Sequence, residues 1–161
     1  MLLFPRNGEL HVLLTRRSSD VEHHKGQVSF PGGSVDSGDK DIIATALREA
    51  EEEVGLRPER VEVLGMFDDV WTPSGFAITP VVGYTGGFPA LSPSTDEVEE
   101  ILEIPVSFFL DPRNERVKKI ERRGKEMEVY FYTYGVTEVW GATASILRSF
   151  LRALNAFARS G

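Results

Sequence analysis

Three glutamates, Glu49, Glu52 and Glu53, stand at spacings of 3 and 4 and so fall on one stripe of a helix. Like charges so placed cost a bare helix a few tenths of a kcal/mol each, about 0.2–0.5. A divalent cation reverses that cost. Carboxylates beside an exposed turn suit a hard, oxygen-seeking ion such as Mg²⁺ or Mn²⁺. Arg48 adjoins Glu49 and precedes Glu52 by one helical turn, so it can orient carboxylates as well as neutralise them. The same spacing also describes an ordinary solvated acidic face. The metal reading rests on the combination: Gly32-Gly33, an acid-rich turn, Arg-Glu, Glu-Glu, and Gly55 at the helix stop.

These residues need a helix and a turn to hold them. Ile43, Leu47, Ala50 and Val54 recur at steps of 4, 3 and 4, which predicts a helix over Asp39 to Val54 with one buried stripe. Upstream, Leu2–Phe4 and His11–Thr15 read as strands around the turn Pro5-Arg6-Asn7-Gly8. Between them and the glycines lies a cationic cluster, Arg16, Arg17, His23, His24 and Lys25. It reads as a solvated loop or as an anion clamp, for which Arg and Lys are well suited. Downstream, Val61–Phe67 and Ala77–Tyr84 read as strands, with Pro80 implying an edge or bulge. Trp71 and Phe76 lie in the loop between them, as core packing or as the wall of a ring-binding site. A strand near Val98–Glu103, a helical turn from Pro105, a hairpin of Val117–Glu121 with Glu126–Tyr134, and a docking helix from about Thr143 complete the chain.

Composition narrows the classes. The 161 residues suit a single domain, 1–161, and contain no cysteine, so disulfides, thiolate nucleophiles and Cys-ligated zinc are excluded. The net charge of −7 argues against a nucleic-acid binder and requires local cations or bound metal to receive an anionic substrate. No apolar run approaches the ~20 residues that span a bilayer, and the first residues lack the order of a secretion signal. The cytoplasm is the default expectation. The oligomeric state is open, with a homodimer among the options.

The stretch from Gly33 to Leu56 resembles the Nudix box, G-x5-E-x7-R-E-U-x-E-E-x-G-U, where U is bulky and apolar. Gly33 fits the first position and Asp39 stands where the family has Glu; eight residues, not seven, then precede Arg48. From Arg48 to Leu56 the match is complete with Ala50 as a small U. A second resemblance lies upstream. The coenzyme A pyrophosphatase branch carries L-L-T-x-R-[S/A]-x3-R-x3-G-x3-F-P-G-G, and Leu13, Leu14, Thr15, Arg17, Ser18, Gly26, Phe30, Pro31, Gly32 and Gly33 match in register. Glu22 replaces the pattern's second Arg. Near the end, Trp140-Gly141-Ala142-Thr143-Ala144 is similar to that branch's Trp-Gly-x-Thr-Ala.

The resemblance implies an α+β fold, a Nudix-type α/β/α sandwich with a mixed sheet, the box helix on one face and the C-terminal helix on another. It implies hydrolysis of the diphosphate of coenzyme A or a derivative to 3′,5′-ADP and 4′-phosphopantetheine, dependent on Mg²⁺ or Mn²⁺. Glu49 and Glu53 are the leading metal ligands, with Glu52 as a third or as a base poised by Arg48, and the Gly33 carbonyl completing the shell. Glu97 is the candidate for the family's additional glutamate outside the box, and activation of water falls to it or to a box glutamate. Arg17, Lys25 and Gln27 are the substrate-side candidates, with Trp71 and Phe76 as the wall. Two other readings compete: a Nudix pyrophosphatase for another nucleoside diphosphate derivative such as ADP-ribose, and a non-catalytic module that senses a nucleotide.

Overall fold

The computed structural model describes residues 1–18, 26–122 and 124–160. Its centre is β2 (Glu9–Arg17), whose residues His11 to Thr15 are buried in an unbroken run. Such a run is what a strand covered on both faces requires. β1 (Leu2–Arg6) pairs with β2 antiparallel, and the turn between them places Asn7 and Gly8 at φ 52° and 80°. Left-handed residues at both turn positions match the right-handed twist of a tight hairpin. On its other side β2 pairs antiparallel with β8 (Val98–Pro105), and the short β3 (Val28–Ser29) extends β2 near its end. β7 (Val81–Tyr84) runs parallel to β1, and β4 (Glu62–Met66) pairs antiparallel with β7. The sheet is therefore mixed.

Alternation along the strands divides the core. Leu2, Phe4 and Leu13 face Ala50, Val54 and Leu56 of the first helix and its exit, α1 (Ile42–Val54). Leu3, Val12 and Leu14 face the opposite way, toward Ala144, Leu147, Phe150 and Leu151 of α3 (Gly141–Ser160). The adjacent residues Leu13 and Leu14 thus serve different layers. The order of layers is α1, sheet, α3, with α2 (Val106–Leu110) adding Val106 and Phe109 to the α3 side. A second, antiparallel sheet of β9 (Glu115–Arg122), β10 (Lys125–Tyr134) and β11 (Thr137–Trp140) closes that side with Tyr132 and Val139.

Several boundaries differ from the sequence expectation. α1 begins at Ile42, not Asp39: Asp41 is the cap, accepting the Ala44 N–H at 2.8 Å, and Asp39 stays in the preceding loop. Short acids favour this position because the side chain satisfies a donor the helix leaves open. Pro80 does more than bulge a strand. It separates β6 (Ala77–Ile78), paired only with β5 (Val70–Trp71), from β7 in the main sheet. Proline has no N–H to give a ladder. β3 and β11 escaped sequence reading, being 2 and 4 residues long. Among the described residues no helix is long and apolar enough to cross a membrane.

Truncating either central leucine tests the two-core arrangement. Leu13→Ala and Leu14→Ala should each cost about 2–5 kcal/mol in urea unfolding, although they act on opposite layers. A cost below about 1 kcal/mol for either would mean that its layer is not packed as described.

Candidate functional site

Arg48 gathers the site. A guanidinium has five N–H donors in a planar fork, and here all five are used. Nε donates to Asp39 Oδ1 at 2.9 Å, and Nη2 to Asp39 Oδ2 and the Ser34 carbonyl, each at 3.0 Å. Nη1 donates to Glu49 Oε1 and Glu52 Oε2, each at 3.0 Å. Asp39 is held further by the Asp36 N–H and the Thr45 hydroxyl, each 2.8 Å from Oδ2. The Arg48 fork, with these bonds, keeps the Asp39 carboxyl far below the usual carboxylate range, and Asp39 in turn raises the guanidinium's own pKa. The shorter acid and the added residue therefore leave the pairing intact. The loop takes up the extra residue, and the helix keeps its register.

Glu49 lies over Gly33. A Cβ on Gly33 would fall 2.5 Å from the Glu49 carboxyl carbon, so the glycine leaves the space this carboxylate occupies. Glu53, one turn further, is only 5% exposed. Its Oε2 accepts the Gly32 N–H at 3.3 Å, and Arg17 Nη1 lies 4.0 Å from its Oε1. Burial pushes the Glu53 carboxyl up to about 7, against the pull of the Gly32 N–H and the Arg17 charge; the charges of Glu97 and Glu49 push the same way as burial. Desolvation outweighs the nearby partners.

Glu97 is exposed, and its backbone is fixed: its carbonyl accepts the Ser18 N–H at 2.9 Å, and its N–H donates to Ser94. The structure thus connects Arg17, Gly33, Arg48, Glu49, Glu52, Glu53 and Glu97 through contacts or direct electrostatic influence. Gln27 is half-buried beside them, its carbonyl taking the Arg17 N–H at 2.9 Å. Lys25 lies outside the described residues, as do Glu22, His23 and His24. Trp71 and Phe76 are not core residues. They are 71% and 70% exposed on the β5–β6 hairpin, whose β5 lies against α3. The hairpin's turn is pinned by Thr72, which binds Phe76 through both backbone and hydroxyl.

Among the described residues no three acids or histidines converge to hold a metal ion. Glu52 is 60% exposed, and it and Glu49 both turn an oxygen onto Arg48 Nη1. Glu49 and Glu53 lie against the backbone at Gly33 and Gly32, with Glu52 held beside them at Arg48. An all-oxygen set, including a buried carboxylate whose charge is incompletely offset, fits a hard divalent cation. Sequence reasoning also undervalued Asp39 and did not see the Gly32 N–H or Ser34 carbonyl. Asp39 had a signal, since it stands at the box's acidic position; backbone groups leave none.

Comparisons with known proteins follow this geometry. A family model described as NUDIX domain matches residues 1–139. The protein named Uncharacterized Nudix hydrolase NudL from Pectobacterium atrosepticum is 45% identical over 136 residues, covering 84% of this chain and 71% of that protein. Among solved structures, a binary complex of the C. elegans Ap4A hydrolase aligns at TM-score 0.64 and 14% identity over 99% of this chain and 96% of that one. The NUDIX domain of Shewanella oneidensis NrtR, complexed with ADP ribose, aligns at TM-score 0.51 and 23% identity over 68% of this chain and 71% of that one. At these identities the two structures speak to the fold.

Two outcomes test the site's electrostatics. Glu53 ionises near its ordinary 4.5 when unfolded and near about 7 when folded, so the folded state holds the extra proton between those values. Its protonated form is fully accommodated below 4.5, and that stability is lost as pH rises through 7. Metal-free Glu53→Gln should therefore melt above the wild type at pH 8, by on the order of 2–3 kcal/mol, with the gap closing by pH 5. Arg48→Lys keeps the charge and loses the fork. It should speed amide exchange across 34–41 while leaving the β2 amides protected.

Proposed function

The chain belongs to the Nudix hydrolase family, and from that premise we propose that it hydrolyses the diphosphate of coenzyme A or its derivatives, giving 3′,5′-ADP and 4′-phosphopantetheine or its acyl form. The observation that carries the reaction is the Arg48-held cluster of Glu49, Asp39 and Glu52 beside buried Glu53. The substrate follows from the motif of Leu13 to Gly33, whose Arg17 reaches that same cluster.

In this reading Glu49 and Glu53, with the Gly33 carbonyl, would hold Mg²⁺ or Mn²⁺, and Glu52 would stand as a further ligand or base. A bound divalent ion would neutralise phosphate oxygens and lower the pKa of an attacking water. Arg48 holds Glu49 over the space that Gly33 leaves open. Glu53, protonated near neutrality without a cation, must give up its proton to bind one. Glu97 accepts the water's proton, alone or with Glu52. Water adds to one phosphorus, the bridging oxygen leaves on the other, and the released proton goes to solvent through the accepting carboxylate. Arg17, Gln27 and Lys25 receive the phosphates, and Trp71 and Phe76 offer exposed aromatic faces to an adenine ring or apolar arm. The substrate partner is a small coenzyme A-like molecule, not nucleic acid.

The ADP-ribose alternative has one specific support: the NrtR NUDIX domain, similar in fold, was crystallised with ADP ribose. Product analysis separates the readings. Purified protein with Mg²⁺ or Mn²⁺ should convert coenzyme A to the two named products, and Glu53→Gln should lose at least ~100-fold in kcat while remaining folded. Brisk cleavage of ADP-ribose with coenzyme A untouched would sink the substrate assignment. Nucleotide binding without any turnover would sink the enzymatic one.

A further inference from the structure

The last carbonyls of an α-helix have no partners within it. In α1 they are met in two ways. Gly55, at φ 68°, turns its N–H back onto Ala50 and Glu51, and Leu56 also reaches Ala50, at 3.3 Å. The carbonyls of Glu53 and Val54 are taken by a distant segment: Ser94 N–H donates to Glu53 at 2.8 Å, and Ser92 N–H to Val54 at 2.8 Å. That segment fits because Gly55 has no side chain. A Cβ there would fall 3.1 Å from the backbone N and O of Ser92 and 3.2 Å from its Cβ.

The docked segment leads straight to Glu97. Glu97 N–H and Val98 N–H both donate to the Ser94 carbonyl, at 3.2 and 2.8 Å, and the Glu97 carbonyl accepts from Ser18 at the end of β2. One residue, Ser94, thus binds the backbone of Glu53 and begins the turn that presents Glu97. The Glu97 charge in turn acts on the Glu53 carboxyl. The path runs from glycine to loop to carboxylate in a few hydrogen bonds.

We propose that Gly55 and the Ser92–Ser94 backbone form a latch that sets Glu97 against the Glu53 end of α1, making Gly55 and Ser94 positioning residues for the reaction. The inference rests on the proposed role of Glu97. Its chemistry is register: a proton acceptor must sit within hydrogen-bond reach of the water it serves, and small misplacement costs rate far more than affinity. Gly55 therefore does two jobs, ending the helix and admitting the segment that carries the acceptor.

The test uses the full chain and whichever diphosphate substrate it turns over. Glu97→Gln should lower kcat by roughly 10- to 100-fold. Gly55→Ala and Ser94→Pro, which removes the N–H, should lower kcat toward that level with KM little changed. Ser94→Ala keeps the N–H and should keep the rate. Gly55→Ala made in the Glu97→Gln protein should cost less than about 2-fold more, because its effect passes through Glu97. In hydrogen exchange, Gly55→Ala should expose the Ser92 and Ser94 amides without loosening the strands. Multiplicative losses in the double variant, or a Ser94 amide unprotected in the wild type, would overturn the latch while leaving Glu97's role standing. Full activity of Glu97→Gln would instead remove the role of Glu97, and the latch as a positioning device with it.

Discussion

Everything near the site depends on one guanidinium having no donor to spare. Arg48 spends two N–H groups on Asp39, one on the Ser34 carbonyl and two on glutamates. Lysine offers the same charge but no planar fork, so it could not hold a loop and a helix face in one plane. Because the acceptors come from both the turn and the helix, Arg48 fixes the loop that carries Gly33 relative to the stripe that carries Glu49. The like-charge repulsion of the acidic stripe is reduced where it would otherwise be worst, at two neighbouring turns of α1. Glu53 receives none of this help from Arg48. It is left buried, and the metal-free protein meets that burden by raising its pKa.

Two glycines then decide what the helix can approach. At Gly33 the missing side chain leaves room for the Glu49 carboxylate, and at Gly55 it leaves room for the Ser92 backbone. Both are close approaches of separate parts of the chain to α1, one at its carboxylate face and one at its C-terminal end. β2 supplies the complementary support. Leu13 packs toward α1 and Leu14 toward α3, and the strand then ends at Arg17, whose guanidinium stands beside Glu53. The strand that builds both cores therefore also aims a cation into the site, and the Ser18 N–H that follows it anchors Glu97.

Legibility in the sequence followed the physics of each feature. The layers were legible through the family resemblance, and the elements that build them through the helical period of α1 and the β1–β2 turn, whose residues suit left-handed conformations. The pairing of Arg48 with Glu52 was readable from one-turn spacing on a helix. β3 and β11 were not, because two- and four-residue strands have no period to detect. The start of α1 was misplaced because Asp39 and Asp41 both suit a helix entry by composition; only the bond from the Ala44 N–H to the Asp41 side chain distinguishes the cap. The exposure of Trp71 and Phe76 ran against the usual burial of large aromatics, because their hairpin is cut from the main sheet at Pro80. Backbone donors such as Gly32 and Ser94 have no residue type to announce them.

The charge distribution explains why such a site needs a cation for more than chemistry. The chain carries a net −7, and Glu49, Glu53 and Glu97 add a local negative field that Arg48 offsets at Glu49, 3.0 Å away, and Arg17 at Glu53, 4.0 Å away. A diphosphate approaching that field meets repulsion, because Arg48 is already committed to its carboxylates and the partly exposed Arg17, screened by water, offsets little of the rest. Protonating Glu53 removes one charge but also removes a ligand. In the proposed reading a divalent ion at Glu49 and Glu53 would bring two positive charges for the one proton Glu53 gives up, a net gain of one over the protonated site, while keeping Glu53 as a carboxylate. In that reading Arg17, no longer needed to offset Glu53, would be available to a phosphate. The raised pKa of Glu53 follows from a burial that the Gly32 N–H and the Arg17 charge offset only in part, and a cation bound there would complete the offset.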